Sequence, residues 1–200
     1  MKKITVFIAM ASLFGAVAAQ SQTGHNGHGD KDAPYAGLQE REIKSLSESD
    51  LEELRRGGGW GLALPAELNG MPGPAHLLEL RDEIGLSVGQ VAEIEVIFDA
   101  MQVEAREVGN RLIAAEEAIE AAFRSGELDS ARLRQLIDTA AAARADLRFI
   151  HLSRHLMTPS ILTEAQIDSY NRLRGYTSNP CATVPDGHDP AMWRQHNNCD

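Results

Sequence analysis

Two pairs of histidines have spacings that suit a metal ion, and the first lies near the start of the chain. His25 and His28 are followed by Asp30 and Asp32 in a His-x-x-His-x-Asp segment. Imidazole and carboxylate groups are ligands for divalent ions such as zinc, copper or nickel. The alternative is a polar linker with no ligand, and the sequence leaves both interpretations open.

The second pair is His151 and His155, which lie four residues apart. If the surrounding segment is helical, the two imidazoles are one turn apart on the same face and can bind an ion together. The pair also lies near the apolar end of that segment, which equally suits two hydrogen-bonded structural histidines. His76 follows Pro74 without a histidine neighbour and is interpreted as local structure.

The two cysteines, Cys181 and Cys199, both lie in the last twenty residues. In an oxidising compartment such a pair is expected to form a disulfide, which would close the C-terminal tail locally. A metal site with His188 and His196 is the alternative.

Sequence signatures of catalysis are missing. The chain has no Glu-x-x-His, no His-Glu-x-x-His and no Gly-x-Ser-x-Gly, so an enzyme is not expected. The glycine cluster at 57–61 lacks the strand, helix and Lys-Ser or Lys-Thr pair of a phosphate-binding loop. We interpret it as an irregular connector, with Trp60 and Leu62 folded onto the core.

The N-terminus has the features of an export signal. Lys2 and Lys3 precede an apolar stretch from Ile4 to Phe14, and small residues at 16–19 suit a signal peptidase. Residues 1–19 are therefore predicted to be a cleaved signal peptide that delivers the protein to the periplasm. Their removal leaves 17 basic and 29 acidic side chains, a net charge of −12, so nucleic acid is not an expected partner.

Helix-start signals divide the rest of the chain. Residues 20–42 are polar and glycine-rich and are predicted to form a disordered linker, residues 43–176 a helical domain, and residues 177–200 the disulfide-closed tail. Ser47, Ser87, Asp129 and Thr163 each have the spacing of an N-cap with flanking hydrophobic residues. A further short helix is expected over 74–84, between Pro74 and Gly85.

Two long amphipathic segments determine the predicted fold. Apolar residues recur at steps of three and four over 88–123 and again over 130–157, which predicts two long helices packed along their length. The short connector at 124–128 makes them antiparallel. The fold class is thus all-α, a long helical hairpin with shorter flanking helices. Some apolar residues fall outside the packed stripes and favour a homodimer: Val96, Ile97, Val103, Ile113, Phe149, Leu152 and Leu156.

Two five-residue motifs give the chain a resemblance to a known family. Leu86-Ser87-Val88-Gly89-Gln90 and Leu162-Thr163-Glu164-Ala165-Gln166 bracket the predicted hairpin. In this arrangement, behind an export signal, the chain resembles the Spy/CpxP family, whose repeat is Leu-Thr-x-x-Gln. The residues of the two motifs that carry the resemblance are Leu86, Ser87, Gln90, Leu162, Thr163 and Gln166.

The resemblance implies a dimeric, all-α cradle that works in envelope stress without ATP. Chaperone members hold unfolded clients on basic and apolar surface, for which this chain offers only Arg132, Arg134, Arg144 and Arg148. Its acidic charge departs from that pattern. A heavy-metal sensing or resistance branch is the alternative, with a metal ion at the histidines. Expected partners are misfolded envelope proteins or a regulatory membrane protein.

Overall fold

The computed structural model describes residues 33–177, 181, 183–184, 186–196 and 199, and these residues are all-α. The predicted sites at His25 and His28 lie outside the described residues. A 3-10 turn at Leu38–Glu40 precedes the helices. The helices are α1 Glu48–Arg56, α2 Leu64–Glu67, α3 Pro74–Glu79, α4 Arg81–Ile84, α5 Val88–Ser125, α6 Ser130–Met157, α7 Glu164–Leu173 and α8 Pro190–His196.

The four predicted helix starts are confirmed. The side chain of each cap accepts a hydrogen bond from the backbone N–H three residues later, at Ser47, Ser87, Asp129 and Thr163. Three of them, all but Asp129, form reciprocal capping boxes: the side chain three residues later accepts a hydrogen bond from the backbone N–H of the cap residue. These bonds satisfy N–H groups that the helix itself leaves free.

Helices α5 and α6 form the predicted antiparallel hairpin. At 38 and 28 residues they are about 57 and 42 Å long, and Gly126 ends α5 in the left-handed conformation. Two ion pairs cross between them, Glu104–Arg154 at 2.6 Å and Arg111–Asp146 at 3.4 Å. In the first pair the acidic residue belongs to α5, and in the second it belongs to α6.

The short helices pack on one face of this hairpin. Leu51 and Leu54 of α1 are buried in the same core as Val108 and Leu112 of α5. The contact is close because α5 has a glycine there: a Cβ on Gly109 would lie 2.5 Å from the Leu54 carbonyl oxygen. Backbone therefore packs on backbone at the crossing of α1 and α5.

A second, smaller core joins the start of α5 to α7. Leu77, Ile84, Ile94 and Tyr170 are its buried members. The single helix expected over 74–84 is instead two, because the chain leaves helical geometry at Leu80, where φ is −102° and ψ is 16°. The connector after α1 also contains the short helix α2, which the sequence did not predict.

The C-terminal tail is closed as predicted. Cys181 and Cys199 form a disulfide with a Cα–Cα distance of 5.4 Å, and α8, between them, contains no buried residue. Among the described residues, none of the helices has the length and apolar character needed to span a bilayer.

Candidate functional site

A pocket of about 470 Å³ lies between the glycine-rich loop at 57–61, the start of α3 and the part of the hairpin remote from its turn. Its apolar lining includes Trp60, Leu64, Pro74, Phe98 and Met101, and its polar lining includes Glu53, Arg56, Glu67, Gln102, His76, His151 and His155. The volume lies within the range of about 300 to 1,000 Å³ that is typical of small-molecule sites.

The glycine-rich loop forms one wall of this pocket. Gly57 ends α1 with a φ of 74°, and a Cβ there would lie 2.9 Å from the Gln102 carbonyl oxygen. The loop thus lies directly on α5. Trp60, at a φ of 44°, packs partly buried against the main core, and Leu62 is buried in it, as predicted.

Two polar contacts fix the indole of Trp60. Its Nε1 donates to a carboxylate oxygen of Asp50 at 2.8 Å, and the guanidinium of Arg144 lies 4.5 Å from the ring centroid. Hydrogen bonds from Ser47 and then from Trp60 lower the pKa of Asp50. These two contacts hold the irregular connector in place at Trp60, where it also lines the pocket.

His151 is 3% exposed, and its Nε2 has no hydrogen-bond partner. Burial is the main cause of a lowered pKa for its imidazole, and the nearby His155 adds to that effect, while the Gly58 backbone opposes it through a hydrogen bond. The imidazole is therefore neutral at neutral pH. A buried nitrogen with no partner is unusual in a folded protein, because it has lost its water without a replacement.

His155 lies one turn further along α6 and is held firmly. Its Nδ1 donates to the Met71 carbonyl oxygen at 2.7 Å and lies 3.9 Å from Oε2 of Glu67. The imidazole occupies the space that a side chain at residue 73 would need: a Cβ on Gly73 would lie 2.6 Å from Nε2. The two histidines thus share one face, as the spacing predicted, and both line the same pocket.

Glu67 is the centre of a buried polar cluster next to these histidines, and its side chain is 7% exposed. Oε1 of this carboxylate accepts from His76 Nδ1 at 3.1 Å, from the Tyr176 hydroxyl at 3.0 Å and from the Tyr170 hydroxyl. Arg174 Nε lies 3.5 Å from the same oxygen. A buried charge is tolerated when it is paired and hydrogen-bonded in this way.

The cluster shifts the pKa values of its members. Burial alone would raise the pKa of Glu67, but the hydrogen bonds from His76 and Tyr170 outweigh it and hold the pKa at about 2. Burial and the Glu67 carboxylate raise the pKa of Tyr170. At neutral pH the cluster therefore contains an ionised Glu67 and a neutral tyrosine that donates to it.

This cluster was not predicted from the sequence. His76, interpreted there as local structure, is a partner of Glu67, so that interpretation was incomplete. The only local hint was an acidic residue next to Leu64-Pro65-Ala66 in an apolar stretch. Its partners Tyr170, Arg174 and Tyr176 come from the other end of the domain, and no periodicity connects them to Glu67.

The four arginines expected to bind clients do not act as one group. Arg144 lies over Trp60 on the pocket side, whereas Arg134 pairs with Asp138 and Arg132 with Gln135 within α6. Because α6 advances 100° per residue, Arg134, Arg144 and Arg148 lie within about 80° of one another around the helix, whereas Arg132 points about 120° to 200° away from them. The structure therefore does not bring Arg132, Arg134, Arg144 and Arg148 into a single basic surface.

The face of the hairpin opposite the short helices has two shallow grooves of its own. One is lined in part by Val96, Ile97 and Ile161, the other in part by Glu107, Phe149 and Ile150. On α5, Gln102 and Gly109 contact the α1 side. Glu104 and Arg111 each come two residues later, so they lie about 200° around the helix from that side. We call this surface the open face.

Apolar side chains are exposed along the open face. Val96 and Phe149 are each 71% exposed. Val103 and Leu156, seven residues after them on α5 and α6, continue the same two stripes and are also exposed. The sequence had placed these residues outside the packed stripes, and for them the structure agrees. Ile113, grouped with them in that expectation, is instead buried in the main core.

Within the part of the chain that the structure describes, no group of three or more His, Cys, Asp or Glu side chains is arranged to hold a metal ion. Comparison of the chain with protein-family models, with curated proteins and with solved structures finds no match. The structural features of the described residues that bear on function are the pocket, the Glu67 cluster and the open face.

Proposed function

We propose that this protein is a non-enzymatic, ATP-independent chaperone of the bacterial periplasm that holds unfolded envelope proteins on its open face. The observation that supports this proposal is the exposure of apolar side chains along that face, Val96 and Val103 on α5 and Phe149 and Leu156 on α6. Exposed apolar surface on one face of a protein marks sites where other chains bind. The resemblance to Spy/CpxP proteins supports the same proposal.

The charge of the open face suggests which clients bind best. Glu104 and Asp146 are paired with Arg154 and Arg111, whereas Glu107 lines the groove with no ion-pair partner among the described residues. Unfolded segments that are apolar and basic therefore suit this face better than acidic ones. This differs from the basic client surface that the family resemblance implies.

The proposal is tested by client aggregation without ATP. Reduced lysozyme and reduced α-lactalbumin are suitable clients because they are similar in size and opposite in charge. At equimolar mature protein we expect light scattering to fall for both and to fall further for lysozyme. If scattering is unchanged for both clients, the chaperone proposal is wrong.

A pair of double variants links the effect to the open face. Val96→Ser with Phe149→Ser removes two exposed apolar groups from it, and we expect most of the protection to be lost. Leu68→Ser with Leu173→Ser removes two exposed leucines outside the hairpin and should leave protection unchanged. The alternative is that a second copy of this chain covers the open face. Static light scattering of the protein alone tests it: if the first variant turns a dimer into a monomer, the open face is a homodimer interface.

A second candidate function is metal binding or sensing, favoured by the position of His151 and His155 in one pocket. His151 Nε2 has no hydrogen-bond partner, and His155 is the second histidine of this candidate site. Titration with zinc, copper and nickel tests this candidate. Binding at micromolar concentrations that His151→Ala abolishes would support it, and no binding would exclude it.

A further inference from the structure

The buried cluster around Glu67 leaves one oxygen of this carboxylate without a hydrogen bond. The bonds from His76, Tyr170 and Tyr176 all go to Oε1. Oε2 lies 3.9 Å from Nδ1 of His155, which is too far for a hydrogen bond. Because an ionised carboxylate can only accept hydrogen bonds, Oε2 lacks a donor.

This oxygen remains accessible, which distinguishes it from the unpartnered nitrogen of His151. Among the described residues, two buried side-chain atoms lack both a partner and access to solvent, His151 Nε2 and Asn171 Oδ1. Oε2 of Glu67 is not one of them, although only 7% of that side chain is exposed. Glu67 and His155 both line the pocket, and Oε2 lies on the His155 side of the carboxylate. The oxygen without a donor therefore faces the pocket.

The rest of the pocket suits a molecule with an apolar body. Its apolar walls include Trp60, Leu64, Phe98 and Met101. A bare ion fills only a small part of about 470 Å³, and the described residues include no set of three or more His, Cys, Asp or Glu side chains for a metal. Mainly apolar walls with a few polar groups are typical of small-molecule sites.

The other charged side chains of the lining are Glu53 and Arg56, which form an ion pair with each other. Their side chains are 31% and 67% exposed, so water and the pairing weaken their effect on a ligand. Glu67 is ionised at neutral pH, and Arg174 balances part of its charge from the side of Oε1. A carboxylate oxygen bonds more strongly to a charged donor than to a neutral one. An ammonium group therefore suits Oε2 better than a hydroxyl group does.

From these observations we infer that the pocket binds a small organic amine, whose ammonium group donates to Oε2 of Glu67 and whose apolar body packs against Trp60 and Phe98. This site is separate from the open face, since it lies on the side of the hairpin that the short helices cover. It also differs from the metal candidate, which would use the imidazole nitrogens of His151 and His155.

Trp60 lines the pocket and reports on its contents. The chain has two tryptophans, so a Trp193→Phe background leaves the fluorescence of Trp60 alone. The probes share a phenyl ring and a short chain: phenylpropylamine, phenylpropanol, propylbenzene and phenylpropanoate. At pH 7 we expect saturable binding of the amine, with propylbenzene weaker by about tenfold or more, as one hydrogen bond between charged groups implies. Phenylpropanol should have an intermediate affinity, and the anionic phenylpropanoate should bind more weakly than the amine.

Variants at Glu67 assign the preference to that residue. Glu67→Gln keeps the size of the side chain but removes its charge, so the amine and phenylpropanol should bind with similar affinity. Glu79→Gln, the same change at an exposed position of α3, is the matched control and should bind the probes as the parent does. Circular dichroism confirms that each variant is folded.

Three results would overturn the inference. The first is that the parent protein binds the amine no more tightly than propylbenzene, or not at all, which needs no variant to interpret. The second is a preference for the amine over phenylpropanol that persists in folded Glu67→Gln. The third is tighter binding of phenylpropanoate than of the amine, which would show that Arg56 rather than Glu67 selects the ligand.

Discussion

The side-chain amides of Gln90 and Gln166, 76 residues apart, hydrogen-bond to each other. Gln90 Nε2 donates to Gln166 Oε1 at 2.8 Å, and Gln166 Nε2 donates to Gln90 Oε1 at 3.1 Å. Gln90 also donates to the Ile161 carbonyl oxygen and Gln166 to that of Gly85. Two motifs that look like separate helix caps in the sequence thus meet and join the start of α5 to the start of α7.

This contact should be measurable as an energetic coupling. Gln90→Ala and Gln166→Ala each remove a cap and a tertiary hydrogen bond, so each is expected to destabilise the fold by about 1 to 2 kcal/mol. Because the two amides bond to each other, the double variant should lose less than the sum of the single losses, by about 0.5 kcal/mol or more. Urea unfolding of all four proteins gives these values.

The control for that cycle is Gln135→Ala at an exposed position of α6, which should change the free energy of unfolding by less than about 0.5 kcal/mol. Losses from Gln90→Ala and Gln166→Ala that simply add would show that the two amides act as independent caps.

Two glycines of α5 offer a second, matched comparison. Gly109→Ala places a Cβ 2.5 Å from the Leu54 carbonyl oxygen, whereas a Cβ on Gly89 meets nothing within 4 Å. Alanine is the better helix former by about 1 kcal/mol. Gly89→Ala should therefore raise the free energy of unfolding, and Gly109→Ala should lower it despite the gain in propensity, because α1 must move away. Thermal unfolding decides: equal shifts in both variants would contradict a close approach at Gly109.

The sequence was sufficient for the parts of the fold that local signals determine. Helix α6 begins and ends at the expected residues, 130–157, because Asp129 caps it and apolar residues recur along it. Helix α5 extends to Ser125, two residues beyond the expected end, because the left-handed Gly126 ends it. Such signals lie within a few residues of the boundary that they determine.

Only part of the candidate site was predictable, because the rest depends on contacts between segments that are distant in the sequence. His151 and His155 share a face because of helical geometry, and that follows from their spacing. That Gly73 leaves room for one imidazole, or that Glu67 meets Tyr170, depends on how distant segments pack. The role of Trp60 as a pocket wall, with Asp50 bonded to it, is likewise a tertiary feature.

The Glu67 cluster should contribute strongly to stability. Tyr170→Phe removes one donor to a buried carboxylate and is expected to cost about 1 to 3 kcal/mol. Glu67→Leu leaves His76 and Arg174 without their acceptor and should cost at least as much. Tyr35→Phe, at an exposed tyrosine, is the control and should be neutral. Urea unfolding followed at 222 nm tests all three, and a neutral Tyr170→Phe would mean that the hydroxyl bond contributes little.

The same carboxylate predicts how stability depends on pH. The pKa of Glu67 is about 2 in the folded protein and has an ordinary value of 4.5, so the unfolded chain takes up the proton first as pH falls. Its contribution is complete above pH 4.5 and is lost between 4.5 and 2, by up to about 3 kcal/mol at 1.36 kcal/mol per pKa unit. Glu67→Gln, which cannot titrate, should be less stable at pH 7 and should lose less stability on acidification. Other carboxylates with lowered pKa values, such as Asp50, titrate in both proteins, so the difference between the two urea-unfolding profiles isolates Glu67. Parallel profiles from pH 7 to 2.5 would show that the carboxylate has the same pKa in the folded and unfolded chains.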